Sequence, residues 1–117
     1  MLPTRESVLT RRRFGNSGED LAAEHFRGLG YEVLARNFKC RRGEIDLVCR
    51  RGGEVSLVEV KTRAGTAHGT PAEAIDETKR RAMLGTVSEY RAASGWRGPI
   101  RLRLVAITLE VIDDVVA

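Results

Sequence analysis

Two carboxylates, Asp46 and Glu59, and a lysine, Lys61, flank the dipeptide Gly52-Gly53. A glycine pair of this kind makes a tight hairpin turn, and the apolar runs on either side, Glu44 to Cys49 and Val55 to Lys61, read as its two strands. Reflecting the chain about the turn sets Asp46 opposite Glu59 and Glu44 opposite Lys61. Directly opposed side chains share a sheet face, with Cβ atoms about 5 Å apart. Ile45, Leu47, Val58 and Val60 then form the other face, which suits a core. Opposed carboxylates repel, so the hairpin alone is expected to carry a strain of about 0.2–1 kcal/mol, the scale of cross-strand pairs. A cation between them removes it, and carboxylate oxygens completed by water suit magnesium or manganese. Lys61, on the face of Glu59, could steady a phosphate or an attacking hydroxide. The competing reading is a solvated sheet face, where Glu and Lys are ordinary, although Val48, Val55 and Leu57 keep that face partly dry. A three-residue turn would break the register altogether.

Two residues outside the hairpin could join this chemistry. Glu19 precedes Ala22, Ala23 and Phe26 by helical steps, which puts an acid beside an apolar stripe. It either joins the metal site or complements the dipole of a first helical turn. Lys79 lies between Ile75 and Ala82 on the core-facing stripe of a later helix. It either reaches the same cleft or snorkels past its neighbours.

The elements that must position these groups follow from periodicity and punctuation. Residues 1–12 show no pattern and read as a loose basic arm before a single domain at 13–117. A helix over about 17–29, capped by Asn16 or Ser17, carries Leu21, Ala22, Phe26 and Leu29, and Gly30 stops it. Tyr31 to Arg36 reads as a short strand, Asn37 to Arg42 as a polar basic loop, and then comes the hairpin. Ala64 to Gly69 is a loop of small residues. Thr70-Pro71-Ala72-Glu73 has the form of a capping box and predicts a helix over about 71–93, with Ala72, Ile75, Ala82, Met83, Val87 and Tyr90 inward and Gly95 as its stop. Ile100 to Glu110 is a strand whose Leu104 to Ile107 is apolar on both faces, as in a central strand. The order is α-β-β-β-α-β, an α/β fold.

Composition narrows the function classes. With 117 residues, 42% hydrophobic and 31% charged, the chain reads as one globular domain. No apolar run is long enough to span a membrane, and the N-terminus lacks a secretory pattern, so a cytoplasmic protein with no membrane partner is expected. Cys40 and Cys49 are too few for a disulfide framework, and His25 and His68 follow no zinc spacing. Residues 1–51 hold 11 Lys and Arg against 7 Asp and Glu, which is the whole net charge of +4. That surplus points to a polyanion, or to a solvated Arg-rich surface. Phosphate-binding glycine loops and nucleophile elbows are absent. At 5% aromatics there is no stacking platform for single strands.

The motifs Gly15-Asn16-Ser17-Gly18-Glu19, Gly30-Tyr31, Arg36-Asn37, Gly43-Glu44-Ile45-Asp46-Leu47, Val58-Glu59-Val60-Lys61-Thr62-Arg63 and Gly69 with Pro71 occur in an order and spacing that resemble the YraN-like family of uncharacterised bacterial proteins. The resemblance runs over about residues 13–107. That family looks like a minimal branch of the PD-(D/E)XK nuclease superfamily, similar to archaeal Holliday-junction resolvases. The resemblance implies a restriction-endonuclease-like, three-layer α/β/α fold with a mixed sheet. It implies that Asp46 and Glu59 bind magnesium (or manganese), that Val60 lends its carbonyl, that Lys61 is the active-site lysine, and that Glu19 matches the acid of the first helix. Lys79 matches a lysine of the second long helix. Arg103 stands where the family usually has Asp. The expected activity is metal-dependent phosphodiester hydrolysis on branched or damaged DNA. Arg13, Arg36, Lys39, Arg41, Arg42, Arg63 and Lys79 would track the nucleic acid, and a homodimer is a candidate assembly. The alternative is a non-catalytic nucleic-acid-binding or protein-interaction module that keeps the fold.

Overall fold

The computed structural model describes residues 18–64 and 75–116. The basic arm with Arg13, the caps Asn16 and Ser17, the loop after Ala64 and the Thr70–Glu73 box lie outside the described residues. Helix α1 covers 18–28, followed by β1 (Glu32–Cys40), β2 (Gly43–Arg51), β3 (Glu54–Ala64), α2 (Glu77–Ser94) and β4 (Ile100–Leu109). The sheet has the order β1-β2-β3-β4; the β1–β2 and β2–β3 pairs are antiparallel and the β3–β4 pair is parallel. The parallel step is the one crossed by α2, as parallel neighbours need a long crossover.

Each helix covers one face. Ala22, Ala23 and Phe26 of α1 pack with Leu47, Cys49 and Val58, and Val60 and Val105 join them. Tyr90 and Val87 of α2 pack with Val48, Val55 and Leu57, together with Ile45, Ile100 and Leu102. The result is the expected α/β fold in three layers. Gly30, at φ 87°, ends α1 in a Schellman motif: Gly30 N–H donates to Arg27 O at 3.0 Å and Tyr31 N–H to Phe26 O at 3.0 Å. The Phe26 and Tyr31 rings close the motif edge-on, 5.3 Å apart.

Four expectations are corrected. Leu21 and Leu29 are exposed (58% and 48%), because Ala22, Ala23 and Phe26 turn the inward stripe away from them. Asn37 to Lys39 is strand rather than loop: β1 runs on to Cys40, with Asn37 in the left-handed region at φ 54° and a bulge between Val33 and Ala35. Helix α2 begins at Glu77 and not near 71, since Asp76 is the N-cap, its carboxylate accepting from Lys79 N–H at 2.8 Å. Among the described strands β4 is an edge. Its two apolar faces reflect a helix on each side of the sheet rather than a strand on each flank.

Candidate active site

The hairpin register is the one that reflection about Gly52-Gly53 gives, with Arg51 paired to Glu54 and Leu47 to Val58. The ladder then stops. Asp46 and Glu59, and Glu44 and Lys61, are not ladder pairs. Instead Asp46 Oδ2 accepts the Val60 N–H at 2.6 Å, so the carboxylate takes the place of a main-chain acceptor and sits against the peptide that joins Glu59 to Val60. Alternation breaks at the same level. Ile45 belongs to the α2 face and Leu47 to the α1 face, although the two are only two residues apart. The expected core face of Ile45, Leu47, Val58 and Val60 is therefore divided between the two sides. Asn37, across from this break on β1, supplies the left-handed residue that lets the neighbouring strand follow it.

Both helices bring a charged residue to this end of the sheet, each at the head of its inward stripe. On α2, Lys79 Nζ lies 2.5 Å from Glu59 Oε1, with Ala82, Met83 and Thr86 behind it. These groups, with Arg42 and Glu44, line a cleft of about 60 Å³, room for several waters. Glu59 Oε2 is cut off from solvent and, among the described residues, has no hydrogen-bond partner. On α1, Gly18 lies so close to β3 that a Cβ would collide with Thr62 Oγ1. That approach places Glu19 beside β1, where Oε2 meets Arg36 at 3.4 Å. With its amide turned to satisfy both neighbours, Asn37 Nδ2 donates to Glu19 Oε1 at 3.0 Å and to Glu44 Oε1 at 2.8 Å. Arg36 also meets Asp20 at 2.8 Å, and this bond, more than the Glu19 contact, raises its guanidinium above the ordinary value despite partial burial.

The residues can be tested for a divalent cation. One buried oxygen of Glu59 has no partner, and Asp46 is held at the adjoining peptide. Magnesium is commonly held by one or two carboxylates with water completing its shell, a donor type that Glu59 and Asp46 supply. Among the described residues no three acid, histidine or cysteine side chains converge as a ready-made metal group.

A model of the uncharacterised protein family UPF0102 matches residues 18–109. The chain belongs to the UPF0102 family. It is 44% identical over 105 residues to a UPF0102 protein of Clavibacter michiganensis, covering 89% of this chain and 85% of that one. A UPF0102 protein of Caldicellulosiruptor saccharolyticus is 46% identical over 82 residues, covering 70% and 69%. One from Symbiobacterium thermophilum is 46% identical over 88 residues, covering 75% of each. The family is the YraN-like one to which the sequence motifs point.

In this UPF0102 chain, Asp46, Glu59, Val60 and Lys79 meet at one end of the sheet. Lys61 is exposed two residues beyond Glu59. Glu19 and Arg36 are engaged with each other, with Asn37 and with Asp20. Arg63 is half-buried near the end of β3, and Lys39, Arg41 and Arg42 are exposed around the β1–β2 turn. Arg103 lies on the α1 face and donates to Ser56 Oγ at 3.1 Å and Tyr31 Oη at 3.2 Å, with Glu54 at 3.4 Å. Sequence reasoning missed Asn37, Gly18 and Glu89, the last an acid of α2 whose carboxylate accepts the Arg41 N–H at 2.7 Å. Asn37 and Gly18 stand within the quoted motifs, and a left-handed asparagine or a close-approach glycine is the physical content such positions can carry. Among the described residues no helix is long and apolar enough to cross a membrane.

Proposed function

We propose that this protein is a metal-dependent nuclease-type hydrolase that cuts phosphodiesters in DNA. The observation that carries the reading is the buried, partnerless oxygen of Glu59 at the point where Asp46 parts β2 from β3. A desolvated carboxylate oxygen is costly unless something positive meets it. Asp46 and Glu59 would hold magnesium or manganese, with the Val60 carbonyl as the further donor the resemblance implies. The ion supplies Lewis-acid stabilisation of charge on the phosphodiester. The protein groups do the positioning. Val60 N–H fixes Asp46, Lys79 orients Glu59, and Lys61 offsets charge that develops on the phosphate. Glu19 acts through the Arg36–Asn37–Glu44 network as a positioning residue.

A second reading, a nucleic-acid-binding module without catalysis, is favoured by the Lys79 ammonium on Glu59, which already neutralises that acid. One experiment separates the two. Duplex, nicked and four-way DNA are incubated with the protein in magnesium, in manganese and in chelator, beside the D46N variant. Metal-dependent products that D46N abolishes support the hydrolase. Binding without products under every condition supports the module.

A further inference from the structure

The β1–β2 turn carries Lys39, Arg41 and Arg42, and it does not hang free. Glu89 of α2 accepts the Arg41 N–H at 2.7 Å and the Arg42 N–H at 3.4 Å, which ties the turn to the helix by its backbone. Arg42 then lies directly on α2 at Gly85: a Cβ there would meet Arg42 Cδ at 2.5 Å and a guanidinium nitrogen at 2.9 Å. Glycine inside a helix is unfavourable, and at this position its lack of a side chain lets the Arg42 stem lie against α2. Among the described residues no acceptor meets the Arg42 guanidinium, and the side chains of Lys39 and Arg41 likewise make no ion pair. An arginine fixed at its backbone and along its stem, with its donors unspent, is preorganised for an anion.

The hollows along α2 and the cleft at Glu59 are linked in series by shared lining residues. Arg42 lines that cleft and, with Arg41, Gly85 and Ser88, the next hollow of about 250 Å³. Lys39, Arg41 and Ala92 line a third, of about 540 Å³. Lys79 to Ala92 spans about 20 Å at 1.5 Å per residue, the axial length of about six nucleotides of a duplex strand at 3.4 Å each. Glu89 is the acid lining the two outer hollows, and its two oxygens are turned onto the Arg41 and Arg42 amides.

We propose that the β1–β2 turn and the flank of α2 form a phosphate track, in which Arg42, Arg41 and Lys39 contact successive phosphates of a duplex DNA strand leading to Glu59. Gly85 and Glu89 build the track and touch no phosphate themselves. The proposal rests on the nucleic-acid reading above but not on catalysis. The test is binding of a short fluorescent duplex in chelator across a salt series, for wild type, R42Q, K39Q/R41Q/R42Q, G85A and E89Q, with thermal unfolding of each. The slope of log affinity against log salt should shrink by about 0.9 for R42Q and about 2.7 for the triple variant. G85A should weaken binding in the direction of R42Q while melting no lower than wild type, because the helix itself prefers alanine. E89Q, which keeps an acceptor but loses the charge, should bind at least as tightly as wild type. Wild-type binding that R42Q, the triple variant and G85A all leave unchanged would overturn the track and leave the nucleic-acid reading standing. No binding by wild type at low salt would overturn both.

Discussion

At the residue scale, the decisive contact is Lys79 on Glu59. The hairpin alone predicts that Asp46 and Glu59 repel, and that neutralising one relieves strain. The structure reverses that sign, because Glu59 answers to an ammonium at 2.5 Å and Asp46 to a peptide N–H at 2.6 Å. Replacing Lys79 by Met leaves a largely buried carboxylate without its cation. Breaking a fully buried pair costs about 3–5 kcal/mol. Lys79 is 37% exposed and Glu59 20%, so water screens the pair and a loss of about 1–2 kcal/mol in urea unfolding is expected. K79M/E59Q should regain most of it, since no charge is then left unpaired; a double variant as weak as the single one would mean that lost packing, not lost charge, is responsible. The cysteines offer a test by pH. Burial, and secondarily the Glu89 carboxylate, raises the Cys40 thiol above its ordinary value, and burial does the same at Cys49. A raised thiol pKa means less thiolate at any given pH, and the thiolate is the nucleophile. Alkylation of Cys40 should therefore lag a free cysteine at pH 8 and keep rising beyond the pH where the free thiol levels off. E89Q, which removes the secondary cause, should speed it. Rates of iodoacetamide labelling followed by peptide mass would show this, and E89Q labelling no faster than wild type would remove Glu89 from the account.

At the element scale, Gly30 is where local sequence and tertiary structure agree most closely. The residue takes φ 87°, and the two Schellman bonds and the Phe26–Tyr31 contact all depend on the chain turning there. An alanine must be forced into the left-handed region at about 1–2 kcal/mol, so G30A should lower the unfolding free energy by about that much. For a domain this size that is a fall of roughly 4–16 °C in melting temperature, readable by circular dichroism. Such features are legible because a single residue type encodes them: Gly30 as a stop, Gly52-Gly53 as a turn, Gly95 as the cap of α2. The hairpin register was equally legible as far as Leu47 and Val58, since alternation and turn geometry both fix it. It failed beyond them because Asp46 competes with the backbone for the Val60 N–H, and period-two reasoning has no place for a side chain that acts as a main-chain acceptor. The Asn37–Lys39 segment was misread for a related reason. Its polar composition resembles a loop, but the left-handed Asn37 shows that the polarity serves a break within the strand. Asp76 displaced a well-formed capping box as the start of α2, as two competing caps in one stretch allow. Lys79 illustrates the limit from the other side. Its inward position could be read from helical spacing, whereas its partner across the layer could not.

At the scale of the whole molecule, metal binding and folding are linked, and linkage turns the proposed site into a property that every residue shares. A cation bound only by the folded chain adds RT ln(1 + [L]/Kd) to stability, about 2.7 kcal/mol when the free ion is a hundredfold above Kd. At about 4–8 °C per kcal/mol this raises the melting temperature by roughly 10–20 °C. The Glu59–Lys79 pair sets the direction for each variant. On the proposed reading, an ion binding to wild type would make the ammonium yield Oε1 or share the carboxylate through Oε2, so part of the binding energy would go against an existing contact. K79M has no such competitor. It should start below wild type in chelator and rise more steeply with magnesium, so that the two curves converge. E59Q should also start no higher than wild type, because it gives up the ion pair, and should then stay nearly flat, since an amide is a poor ligand for a hard cation. D46N can still accept the Val60 N–H through its amide oxygen, so it should keep most of its metal-free stability and lose the metal response; it separates the proposed ligand role of Asp46 from its structural one. The measurement is thermal unfolding of the four proteins in chelator and across a magnesium titration, with manganese as the second ion. Four parallel curves would mean that Lys79 is the only cation this end of the sheet was built to hold, and the binding-module reading would replace the hydrolase.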